Sequence, residues 1–337
     1  MGKNCAVFRY RKPSSFRKFL MYFGLFLASS MPGSLMGHLT VIDSIYIGGR
    51  PGQLAIVSGL HKLYAVDSDS NVIYVIDLQS SALIDSLIFP RHPDFLVADP
   101  HQKWLFVAVR SDNSGLRHDL YRFNCINDAL IGHTYQGLFR GKHFCIDSTG
   151  HLYIPSERNW EMLLKLSEVD LITVDSIYTG YFPILVVADW LTPTVYTARY
   201  RINVVLAVDT EIDTPVRALA VWRDPVSMCG CGSPILYIVH SESDTISVVD
   251  MQSLQTKKLI ILEGIADHIN CNPGLNRAYA AMHDARKVAV IDGYTYEVAE
   301  YVELNGEPSC IAVDETTDRL YVSCPDGGKI YVLEDTP

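Results

Sequence analysis

From Leu39 onward the chain alternates short apolar runs with polar turns, and the 3.6-residue periodicity of amphipathic helices is absent. The clearest stretch runs Leu63-Tyr64-Ala65-Val66-Asp67, a polar turn from Ser68 to Asn71, then Val72-Ile73-Tyr74-Val75-Ile76-Asp77, a corner from Leu78 to Ser81, and Ala82 to Phe89. Strand, turn, strand, turn, strand is a meander. The order returns at Leu236 to His240, Ser241 to Asp244, Thr245 to Asp250 and Gln255 to Leu262. An apolar strand opens each unit, as at Phe95 to Ala98 and Cys310 to Val313, and is expected to be innermost.

A Leu-Tyr-like pair marks each unit: Leu63-Tyr64, Leu105-Phe106, Leu152-Tyr153, Val195-Tyr196, Leu236-Tyr237, Ala278-Tyr279 and Leu320-Tyr321, spaced 42, 47, 43, 41, 42 and 42 residues apart. A β-rich period of this length is that of propeller blades. The expected fold is all-β, a seven-bladed β-propeller of four-stranded antiparallel blades. At 337 residues, chain length alone would suggest two domains; the repeat makes residues 39–335 one.

The two ends of the repeat are complementary. Leu39 to Gly48 closely matches Leu171 to Gly180, which occupies the outer-strand position of the third unit, while the last unit stops near Glu334 without a fourth strand. An N-terminal outer strand is therefore expected to complete the last blade and close the ring. Closure hides two sheet edges that would otherwise invite pairing with other chains.

Ile76-Asp77, Val249-Asp250 and Ile291-Asp292, with Leu-Tyr-Val-Ser-Cys at Leu320 to Cys324 and Leu-Tyr-Ile-Val-His at Leu236 to His240, resemble the repeats of YVTN-type β-propeller proteins. The resemblance covers most of Leu39 to Glu334. Units two to four depart from it, with an enlarged turn inside Leu105 to Phe123, an interruption at Glu157 to Glu161, and Arg199 to Asn203 in place of a small polar turn. It implies an exported or surface-associated propeller, and fold by itself supplies no activity.

The N-terminal residues change the picture of location. Lys3, Arg9, Arg11, Lys12, Arg17 and Lys18 precede an apolar run from Phe19 to Ala28, and no acidic residue occurs before Asp43. That is the layout of a secretory signal, cleaved near Ala28-Ser29-Ser30, or of an uncleaved anchor. Residues 1–30 are thus expected to be a leader, 31–38 a linker, and the protein periplasmic, cell-surface or secreted; membrane contact would come only through an uncleaved leader. Taking six basic residues from 28 leaves 22 against 38 acidic ones, a net charge of about −16. Nucleic acid is not an expected partner for such a surface.

Candidate chemistry is sparse. Seven cysteines follow Cys5, and Cys310 and Cys324 would face each other across a hairpin, giving either a disulfide or two buried thiols. Cys229-Gly230-Cys231 has no second close pair to complete a zinc or iron–sulfur site. His240 and His283 lie at second-strand ends, while His92, His143 and His268 precede inner strands. These five share one propeller face and are candidates for an acid–base or metal site, with polar turn residues as the plainer reading. Asp77, Asp250 and Asp292 read as corner caps. No Gly-x-Ser-x-Gly, His-Glu-x-x-His, phosphate-loop or Cys-x-x-Cys-His motif occurs.

The expectation for function is a binding scaffold without a cofactor. Arg110, Arg158, Trp160, Arg199, Tyr200, His240 and His283 would contact a protein or glycan. The alternative is a lactonase-like or other metal-dependent hydrolase with a channel-mouth metal held by some of the His and Asp residues there, His92, His143 and His268 being the candidates.

Overall fold

The computed structural model describes residues 37–99, 104–134, 143–156, 159–180, 182–199, 202–222, 224–232 and 234–336. The leader expected at residues 1–30 lies outside them. Among the described residues no helix is long and apolar enough to cross a membrane.

These residues form seven four-stranded antiparallel sheets, a seven-bladed β-propeller. Six blades take their strands in sequence order from the axis outward, the first spanning Pro51–Val57, Lys62–Asp67, Val72–Asp77 and Ala82–Ile88. The seventh combines Cys310–Asp314, Arg319–Cys324 and Lys329–Thr336 with His38–Tyr46 as its outer strand. The inner strands of the first and seventh blades pack together, so the ring is closed.

The closing strand runs antiparallel to Lys329–Thr336, with Leu39 opposite Asp335 and Ser44 opposite Tyr331. A bulge between Val41 and Asp43 absorbs Ile42, while Leu39 and Ile45 point into the core. Glu300, on the sixth blade's outer strand, accepts a hydrogen bond from the Leu39 amide at 2.6 Å and a second from the His38 ring.

Strand alternation explains the repeated pair. Successive side chains leave opposite faces of a strand, so each second strand sends an aromatic to one neighbouring blade and an aliphatic to the other. Tyr64 packs toward the second blade, while Leu63 packs toward the seventh. Tyr153, Tyr196, Tyr237, Tyr279, Tyr321 and Phe106 are likewise fully buried. Burying each such ring stabilises the fold by about 2 kcal/mol.

Some hydroxyls then reach the outer corner of the next blade. Tyr64 donates to Asp128 at 2.6 Å, Tyr196 to the Met251 carbonyl at 3.1 Å, and Tyr279 to Asp335 at 2.6 Å. Lys62 joins the first of these contacts, 2.6 Å from Asp128. Within the corners, Asp77 accepts from the Ser80 amide at 2.8 Å, Asp250 from Ser253 at 2.8 Å and Asp292 from Tyr294 at 2.8 Å. The corner caps read from sequence are therefore present.

The cysteine pairing of the last blade is different from the hairpin expectation. Cys310 sits opposite Ser323, one residue short of Cys324, so the two thiols leave opposite faces of the sheet and remain free. Cys310 packs against the first blade and Cys324 toward the sixth.

Candidate functional site

Second-to-third-strand turns and blade-to-blade links share one end of the ring, and backbone hydrogen bonds knit them together. Arg110 N–H donates to the His92 carbonyl at 2.9 Å, Thr179 to Glu161 at 2.8 Å, and Val221 to Asn203 at 2.8 Å. Of the proposed contact residues, Arg110, Trp160, Arg199, His240 and His283 fall on this end, in separate groups.

Arg110 belongs to a polar knot in the second blade. Its Nε and Nη2 grip both oxygens of Asp94 at 2.7 Å, and His118 Nε2 lies 2.7 Å from Asp94 Oδ2. His92 donates from Nε2 to the Ser68 carbonyl at 2.9 Å and presents Nδ1 to Asp94 at 3.2 Å. Burial alone would raise the Asp94 carboxyl, but hydrogen bonds from His118 and Arg110 outweigh it and hold the group well below the usual carboxylate range. Asp94, Arg110 and His118 thus anchor the flanks of the enlarged turn that interrupts the repeat, which gives Arg110 a structural role, while His92 ties the preceding link to Ser68. His118 was missed in the sequence because its turn breaks the repeat alignment.

His240 is fully buried, with Nε2 2.8 Å from Ser247 Oγ, so it is closed to a partner. His283 is half-exposed between Asp284 at 3.1 Å and Glu307 at 3.4 Å. Arg158 and Tyr200 lie outside the described residues.

Two of the histidines share a cavity. His143 and His268 both line a cavity of about 140 Å³ along the axis, with Gln53, Ser227 and Asn270. His268 accepts from the Ile311 amide through Nδ1 at 3.3 Å, which leaves Nε2 as the protonated nitrogen, 3.6 Å from Cys310 Sγ. Burial pushes its pKa down to about 4. With both nitrogens engaged, His268 is a packed neutral imidazole. The ring of His143 lies 4.9 Å from that of Phe95. Among the described residues no group of three or more His, Cys, Asp or Glu side chains is arranged to hold a metal ion.

Around the third and fourth blades the described residues of the same end include several exposed apolar side chains. Trp160 packs against Phe182 in a tilted arrangement, with ring centroids 5.0 Å apart. Arg199 donates to the Thr179 carbonyl between them and the next turn. Ile202 follows in that turn, and Trp222 heads the link to the fifth blade. Trp160 and Trp222 expose 49% and 56% of their surfaces, and Ile202 is exposed as well. The hydrogen bonds Thr179 to Glu161 and Val221 to Asn203 tie each turn to its neighbouring link, and the Arg199 bond to Thr179 joins the two pairs along one arc of the rim. Phe182, Ile202 and Trp222 were not singled out in the sequence, because two of them sit in links outside the repeat. Compared with protein-family models and with curated proteins, the chain finds no match.

Proposed function

We propose that this propeller is a binding scaffold that engages a protein or glycan through the arc Trp160, Phe182, Arg199, Ile202 and Trp222. The carrying observation is the pair of half-exposed tryptophans joined through a backbone-bonded run of turns. A cluster of exposed aromatics beside an arginine is the composition of interaction hot spots. Burial of each indole against a partner would contribute about 2 kcal/mol or more.

The finer reading is an exported member of the YVTN type. It rests on the basic and apolar leader and on the repeats around Leu236 to His240 and Leu320 to Cys324. The hydrolase alternative loses its support at His268, whose ring nitrogens are already committed.

The test compares full-length protein with a Trp160→Ala/Trp222→Ala double variant. Both are immobilised, exposed to an envelope extract of the native host and to a glycan array, and the bound species are identified by mass spectrometry and fluorescence. Retention of ligand by wild type alone, at equal melting temperature, supports the arc. Equal retention by both overturns it. N-terminal sequencing of the mature protein tests export, expecting a start near Ser29; an intact Met1 would refute cleavage.

A further inference from the structure

At the end of the channel opposite the tryptophan arc, the bore widens into a cavity of about 530 Å³ lined by Asp189, Trp190, Asn270, Cys271, Pro273 and Glu315. The position that closes the inner-strand hairpin there is polar in most blades: Asp99, Asp147, Asp189, Asn272 and Asp314. It caps the turn, as where Asp147 accepts from the Thr149 amide at 2.9 Å and Asp314 from Thr316 at 3.1 Å. In the fifth blade this position is Cys231, and the cap is given up for a thiol.

That thiol is not alone. Cys229 leaves the same face of the strand two residues earlier, and Cys271 projects from the neighbouring inner strand of the sixth blade. Cys271 Sγ donates to the Gly230 carbonyl at 3.3 Å and lies within hydrogen-bonding reach of both Cys229 and Cys231. All three are buried in one cluster with Tyr237. At other junctions the equivalent tyrosines, Tyr64 and Tyr279, meet carboxylates, whereas Tyr237 is flanked by the three sulfurs.

We propose that Cys231 and Cys271 form a reversible disulfide between the fifth and sixth blades, made by exchange with a small-molecule disulfide entering through this cavity. Cys271, the thiol of the three that lines the cavity, loses its proton and attacks one sulfur of the small disulfide. The S–S bond breaks, one half departs as a thiolate that takes up a proton, and a mixed disulfide remains on Cys271. Cys231, deprotonated in turn, attacks Cys271 Sγ and expels the second half as a thiol. Two protein thiols are oxidised and one small disulfide is reduced to two thiols. Cys229 and Cys231, two apart on one strand, face Cys271 rather than each other, which makes Cys271 the shared partner. Mutual hydrogen bonding and burial hold these thiols above the ordinary cysteine range, so exchange quickens as the solution is made alkaline.

The test treats full-length protein with oxidised glutathione at mildly alkaline pH, alkylates the remaining thiols, digests without reduction and maps linked peptides by mass spectrometry. The expected product links the Cys271 peptide to the peptide carrying Cys229 and Cys231, and dithiothreitol reverses it. Cys229→Ser retains the link, while Cys231→Ser lowers its yield about tenfold. An unmodified Cys271, a glutathione adduct that never resolves, or a link indifferent to Cys231→Ser would each overturn the proposal. The wild-type map decides the first two outcomes even where a variant folds poorly.

Discussion

Tyr279 donates its hydroxyl hydrogen to Asp335 Oδ2 at 2.6 Å, so the sixth blade holds the strand on which the ring closes. Arg277, two residues earlier, pairs with the other carboxylate oxygen. Tyr279→Phe removes the donor while leaving the ring in place. Unfolding in urea should show a loss of about 1–3 kcal/mol. Tyr294→Phe, at an exposed corner, should leave stability unchanged.

The closing strand separates buried from exposed positions over two residues. Leu39 is 1% exposed and Val41 is 41% exposed. Leu39→Ala should cost about 2–5 kcal/mol, by transfer and cavity together, whereas Val41→Ala should cost under about 1 kcal/mol. Equal losses in denaturant titrations would mean that this strand is not docked as described.

Asp94 gives the protein an acid-sensitive anchor. Because its folded pKa lies below the unfolded value, its stabilisation is present above about pH 4 and is lost as the pH falls further. Asp94→Asn should destabilise by about 3 kcal/mol at neutral pH, since it leaves Arg110 and His118 without their anion. The gap between variant and wild type should narrow below about pH 4, as read by thermal melting across a pH series.

His268 acts at higher pH but in the same sense, since the deprotonated form is again the one the fold favours. Its folded pKa of about 4 lies below the unfolded 6.5, so the neutral ring is the one that fits. Stability is full above about pH 6.5 and declines as the pH falls toward 4, because the unfolded chain takes up the proton first. Heteronuclear NMR of the ring should find His268 neutral at pH 6, with Nε2 protonated; a charged ring at that pH would contradict the contacts to Ile311 and Cys310.

How much of this was legible in the sequence depends on whether a residue repeats. The Tyr64-to-Tyr321 series could be read because burial between blades imposes one aromatic per period. The closing strand was readable for the same reason, since Leu39 to Gly48 copies an outer strand. Cys310 and Cys324 could not be paired correctly, because whether they face each other turns on a single residue of hairpin register, which side-chain type does not report. Trp222 and Phe182 escaped notice because links have no internal copy to compare. The substitution of Cys231 for a capping Asp was readable, but only after the inner strands had been aligned on their hairpins.

The pairing of His38–Tyr46 with Lys329–Thr336 also sets an order of events. During synthesis the outermost strand of the seventh blade emerges first and its three companions last, almost the whole domain apart, so the strand must wait unmatched while six blades assemble. Nucleation can start at any local meander, yet cooperative locking of the circle is postponed until the final strand is released. The slow step of folding should therefore respond to changes at this seam more than to changes within any internal blade.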